Sequence, residues 1–159
     1  MFVDTQTELS DSQAVTATAI SANVIDLQAA LGGGTNIAGG NTLLDIGQGE
    51  DIYLVVNTAV TCTDTGSDAT LTVTLESATD AGLTTAAVVH VATATLAFAA
   101  FATAGTNLLM VKLPNADYKR YMGVRYTVAA GPLTAGAFDA FLTKDIQRAK
   151  IYKSAFTVQ

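Results

Sequence analysis

The chain has 159 residues, 50% of them hydrophobic and only 14% charged, with a net charge of −6, so it can bury one sizeable core beneath a surface rich in Thr, Ser, Ala and Gly. Its pI near 4.4 argues against nucleic acid as a partner. Cys62 is the only cysteine, which excludes an intrachain disulfide and gives no sign of an oxidising compartment.

The formal charges are split along the chain. Residues 1–111 hold eleven acids and no Lys or Arg, a sum of −11, while residues 112–159 hold all 8 basic residues and three acids, a sum of +5. Two arrangements are compatible with this split: a fold that mixes the charges in space, or one that segregates a basic face.

The acidic opening MFVDTQTELSDSQ lacks the basic and then apolar pattern of a secretory signal, so export by that route is not expected. From Gln13 to Leu27, β-branched residues around a Ser21-Ala22-Asn23 break predict two short strands or one bent strand. The glycine-rich stretch 31–42 predicts an exposed loop. It lacks the Gly-Lys-Ser/Thr ending of a phosphate-binding loop, and no lysine follows for some 70 residues.

Glu50 to Val60 predicts a strand with Ile52, Leu54 and Val56 on one face. After a turn at 63–68, Ala69 to Ser77 shows the cleanest alternation, with Leu71, Val73 and Leu75 inward and Thr70, Thr72 and Thr74 outward. A turn at Asp80-Ala81-Gly82 leads to further strands at about 86–91, 95–101 and 108–113, closed by Pro114-Asn115. The apolar run 86–102 is interrupted by His90, Thr93 and Thr95 and has no basic flanks, so strands and not a membrane span are expected there.

Lys119 to Gln147 reads as a single β-hairpin. Val124, Tyr126 and Val128 alternate on one strand and Phe138, Ala140 and Leu142 on the other, with Gly131-Pro132 and Gly136 in the turn. Residues 144–159 form a basic tail with Tyr152 and Phe156 interleaved, read as a last strand or an arm. The expected fold is therefore all-β: a single domain over 1–159, a jelly roll or antiparallel β-sandwich of roughly eight strands.

Chemistry is sparse. His90 lies in an apparent strand and is expected to be structural or at the surface. The acids Asp64 and Asp68, or Asp45, Glu50 and Asp51, could hold a hard cation such as calcium, but neither group has the spacing of the twelve-residue calcium loop, and turn solvation is the better reading. No catalytic residue, cofactor or required metal is expected. The basic residues Lys119, Arg120, Arg125, Lys144, Arg148, Lys150 and Lys153 are the candidate contact set for attachment to a symmetric assembly, where weak contacts repeated on every copy add up. Low surface charge favours self-association, a dimer before a trimer.

Three blocks carry a resemblance: DTQTELSDSQAVT (Asp4 to Thr16), GEDIYLVV (Gly49 to Val56) and RYMGVRYTVAAGPLTAGAFDAFLTKDIQ (Arg120 to Gln147). In this order they resemble the capsid cement proteins of tailed phages, the family typified by the cement protein of the Bordetella short-tailed phage. The last block is the most specific, through Arg120, Tyr121, Gly123, Tyr126, Gly131, Pro132, Gly136, Phe141, Leu142, Asp145 and Gln147. The longer glycine-rich stretch 28–44 and the basic tail after Gln147 depart from it. The resemblance implies a self-associating jelly-roll subunit, made in the host cytoplasm, that sits on the outside of an icosahedral head and ties major capsid proteins together. It brings no catalytic or metal residues. The alternative is a carbohydrate- or host-surface-binding sandwich displayed on the virion.

Overall fold

Ten strands stand among the described residues of the computed structural model, which are 5–27, 49–144 and 146. They are β1 (Glu8–Ala14), β2 (Ala19–Ile20), β3 (Ile25–Asp26), β4 (Tyr53–Thr63), β5 (Thr70–Ala78), β6 (Val88–Ala92), β7 (Leu96–Ala97), β8 (Asn107–Lys112), β9 (Tyr121–Ala129) and β10 (Ala135–Thr143), with a 3-10 turn at Thr5–Thr7 and one α-helical turn α1 (Phe98–Phe101). One antiparallel sheet has the order β1-β10-β4-β8. The other has the order β2-β9-β5-β6, with β3 also on β9 and β7 also on β5. Taking β2 with β3 and β6 with β7 as interrupted strands, the chain changes sheet at every connection except that from β5 to β6. That is the jelly-roll path.

Alternation builds the core. Leu71, Val73 and Leu75 of β5 are fully buried while Thr70, Thr72 and Thr74 on the opposite face are half exposed. Met122, Val124 and Tyr126 of β9 and Phe138, Ala140 and Leu142 of β10 meet them from the neighbouring strand and the facing sheet. The Tyr126 ring stacks on Phe138 at 5.2 Å between centroids, and Phe138, Phe101 and Phe98 continue the aromatic row at 6.5 and 5.6 Å. Each of the large side chains contributes about 1.5–3 kcal/mol on full burial. Tyr126 keeps its hydroxyl satisfied by donating to Ser10 Oγ of β1 at 3.0 Å.

The expected hairpin between 119 and 147 does not form. β9 and β10 lie in opposite sheets, β9 between β5 and β2/β3, β10 between β1 and β4. The connection crosses the sandwich: Ala130 takes a positive φ of 53°, Leu133 turns inward to 2% exposure, and the N–H groups of Leu133 and Thr134 donate to Thr16 O and Thr63 O. A period of two specifies which face of a strand meets the core but not which strand lies beside it. Two apolar faces can equally well stack across a core, as Tyr126 and Phe138 do.

Two other expectations shift. The strand expected over 95–101 is only Leu96–Ala97, followed by α1. Thr58 Oγ donates to Phe101 O at 2.7 Å and Cys62 N–H to Ala102 O at 2.7 Å, which bind this turn to β4. The acidic start, unassigned from sequence, is edge strand β1; its ELSDSQA lacks an obvious alternation because its register shifts twice against β10. The glycine-rich stretch 31–42 and the tail from 147 onward, with Arg148, Lys150 and Lys153, lie outside the described residues.

Candidate functional site

The charge split in the sequence becomes charge mixing in the fold. The two C-terminal strands are each inserted between N-terminal ones, so bases of the last third stand beside acids of the first two thirds. Arg120, just before β9, reaches Asp26 of β3 with Nε at 3.0 Å and Nη2 at 2.9 Å, a bidentate pair, and its guanidinium lies 4.9 Å from the Tyr121 ring centre. Arg125 in mid-β9 places Nε at 3.1 and 3.0 Å from the two Glu76 oxygens of β5 and donates through Nη2 to Leu83 O at 2.7 Å. Lys112 at the end of β8 pairs with Asp51 at 2.5 Å, and Lys144 after β10 pairs with Glu50. Lys119 donates its ammonium to Ala86 O.

The strands bring Lys112, Lys119, Arg120 and Lys144 to one end of the sandwich, where β8 and β10 finish and β4 and β9 begin, together with Asp26, Glu50 and Asp51. Arg125 stands apart, on the outer face of the second sheet between Gly123 and Thr127. Ion pairing raises the Lys112 and Arg120 pKa values, chiefly through the hydrogen bonds to Asp51 and Asp26, so these cations stay charged. This end is thus a polar, mixed-charge surface. The exposed pairs Lys112–Asp51 and Lys144–Glu50 are free to exchange partners, since such contacts contribute only about 0–1 kcal/mol each.

His90 of β6 sits half-buried with its ring 4.3 Å from that of Tyr118 and its Nε2 2.7 Å from Ser77 Oγ. Ser77 is fully buried; its Oγ accepts the Lys119 N–H at 3.0 Å and shares one hydrogen with His90 Nε2, the direction being set by the ring tautomer. The arrangement holds a neutral ring and a hydroxyl closed to solvent, a structural cross-link rather than an exposed nucleophile. The sequence pattern puts His90 on a strand, as found, but carries no signal for Ser77 or Tyr118, which come from β5 and the loop after β8.

The acidic turns serve the backbone. Asp64 accepts the N–H groups of Asp68 and Ala69 at 3.0 and 3.1 Å, and its pKa is lowered first by the Ala69 bond. Asp80 accepts from Thr85 N–H at 2.6 Å and from Thr84 Oγ at 2.8 Å, which hold its carboxyl down at about 2. Among the described residues no three His, Cys, Asp or Glu side chains cluster as metal ligands would. Asp45 lies outside them. Burial pushes the Cys62 thiol up to about 11, far from a reactive thiolate at neutral pH. No helix among the described residues is long and apolar enough to cross a membrane.

Fold and site together define a class: a jelly-roll β-sandwich whose described polar clusters serve its own turns and strand pairs. The chain belongs to the Bbp16 family of phage proteins, whose family model matches residues 9–142. That span runs from Leu9 in β1 to Leu142 in β10 and so takes in both sheets, while the basic tail lies beyond it. No match was found among curated proteins.

Proposed function

We propose that this protein is a structural virion component that binds the outside of an icosahedral phage head and stabilises contacts between major capsid proteins, without catalysis or a required cofactor. The observation that carries the reading is the match of a phage protein family across the whole sandwich. Attachment runs through the mixed-charge end, where Lys112, Lys119, Arg120 and Lys144 converge, and through the basic residues Arg148, Lys150 and Lys153 of the C-terminal sequence. Single exposed pairs contribute little, but many copies on a symmetric shell add through multivalency.

Release from purified particles tests this reading. At about 1 M salt the Debye length falls to about 3 Å, so attachment should loosen markedly, and truncation after Gln147 should lower occupancy further. Retention under both conditions would mean that the hold on the shell is apolar. Recovery of the protein in the unassembled fraction of infected cells, with none on particles, would end the virion reading altogether. A sugar-binding role would call for an exposed aromatic platform, whereas the exposed large hydrophobics among the described residues are Val60, Val88 and Val89.

A further inference from the structure

The connection from β8 to β9, residues 113–120, carries Lys119 and Arg120 to the mixed-charge end. Leu113 and Tyr118 are its buried side chains; the Leu113 N–H donates to Ile52 O at 2.8 Å and the Tyr118 hydroxyl to Pro114 O at 2.8 Å. Beyond them the connection meets β5 and β6. The Tyr118 ring lies 4.3 Å from that of His90, and Ser77 Oγ takes the Lys119 N–H at 3.0 Å while standing 2.7 Å from His90 Nε2. The Lys119 ammonium donates to Ala86 O in the loop between β5 and β6. Lys119 is thus held at both ends, and its backbone is held through a hydroxyl shared with the single histidine of the chain.

A proton on His90 changes that link. In the neutral ring one hydrogen serves the contact between Nε2 and Oγ, and either atom can supply it. In the charged ring both nitrogens are donors, so Ser77 Oγ must accept from Nε2 and from the Lys119 N–H together. The serine's own hydrogen is then left without an acceptor among the described residues, in a site closed to water. The new charge also stands beside the Lys119 ammonium. The other ionisable groups around the site do not offset it: Glu76 turns to the opposite face of β5 and pairs with Arg125, Asp117 of the connection is exposed, and burial raises the Tyr118 pKa and keeps its phenol neutral. We propose that His90 is a proton-operated latch: neutral, it closes the 113–120 connection onto the sandwich, and protonated, it opens that connection and loosens the attachment end. The effect on attachment rests on the function proposed above, whereas the latch itself does not. The open connection takes up the proton at an ordinary His pKa near 6.5 and the closed one at a lower value, so closure is at full strength above about pH 6.5 and weakens as the pH falls.

Hydrogen exchange in the isolated full-length protein tests the latch. Between pH 7.5 and pH 5, corrected for the intrinsic chemistry of exchange, residues 113–120 should open at least about threefold and at most about thirtyfold more readily, the limit that a pKa near 6.5 allows. Low urea should leave this exchange unchanged, as for a local opening that exposes little surface. His90→Gln, which has no proton to gain, should abolish the response, and Ser77→Ala should open the connection already at pH 7.5, with both variants folded by circular dichroism. Equal exchange at the two pH values overturns the proposal, as does a response that His90→Gln retains or one that scales with urea like global unfolding. On particles, the wild type should leave at pH 5 in salt that holds it at pH 7.5, and His90→Gln should stay. Release by salt at pH 7.5 reports on attachment alone, so failure there counts against the attachment reading and not against the latch. Equal release of both proteins at pH 5 overturns the control of attachment by His90.

Discussion

The Arg125 guanidinium lies against the Glu76 carboxylate across β9 and β5, its Nε within 3.0 and 3.1 Å of both oxygens, with Glu76 side chain 7% exposed and Arg125 26%. Glu76 also accepts the Thr74 hydroxyl at 2.7 Å, and Arg125 ties down the loop at Leu83. The pair joins an acid from the first part of the chain to a base from the last, and little solvent reaches it.

Breaking that pair from one side should cost far more than removing both partners. Arg125→Ala leaves Glu76 charged and shielded from water, a loss on the order of 2–4 kcal/mol, whereas the double variant Arg125→Met/Glu76→Gln should recover part of it. Urea denaturation of the three proteins measures both quantities. A double variant no more stable than Arg125→Ala would show that the stranded Glu76 carboxylate is not what the single substitution costs.

Gly136 should tolerate no side chain. Its φ of 149° is one that L residues rarely adopt, and a Cβ there would stand 2.5 Å from Cys62 Sγ and 3.2 Å from Cys62 Cα. Gly136→Ala is expected to lose at least about 2 kcal/mol from overpacking and backbone strain combined. Adding Cys62→Ala removes the sulfur and should return the steric part only, leaving the strain visible in the melting temperature. Full recovery would assign the whole cost to the clash.

Acid should weaken the fold through His90. Partial burial disfavours its charged form and nearby Lys119 adds to this, so its pKa is lowered; the Tyr118 ring packs against it at a tilt and Ser77 Oγ is hydrogen-bonded to its Nε2. The unfolded chain then takes up this proton at higher pH than the folded one. Stability from this site is intact above about pH 6.5 and declines as pH falls below that value. Comparing denaturation midpoints at pH 8 and pH 5 should show a larger drop for the wild type than for His90→Gln. Equal drops would assign the acid sensitivity to other groups.

The hydroxyl of Thr58 should be worth more than its size suggests, because it is buried and holds α1 to β4 through Phe101 O at 2.7 Å. Thr58→Val keeps the shape and removes the donor, at a cost of about 1–3 kcal/mol. Thr61→Val, on the same strand but exposed, should change stability by less than about 0.5 kcal/mol. Similar losses at the two positions would mean that β4 is sensitive to any change of side chain rather than to this bond.

Local patterning dictates the all-β class, the position of most strands and which residues of each face the core. Alternation in 69–77, 121–129 and 135–143 is a local property, and a strand with one apolar face has one way to bury it. Only the tertiary structure decided which strands are neighbours, because period-two patterning is blind to whether two apolar faces lie side by side or stack across a core. From that choice came the parting of β9 and β10, the pairing of Arg120 with Asp26 and Arg125 with Glu76, and the assembly of Ser77, His90 and Tyr118. The −11 and +5 parts of the chain are compatible with either a mixed or a segregated surface, and among the described residues they mix, because the C-terminal strands insert between N-terminal partners.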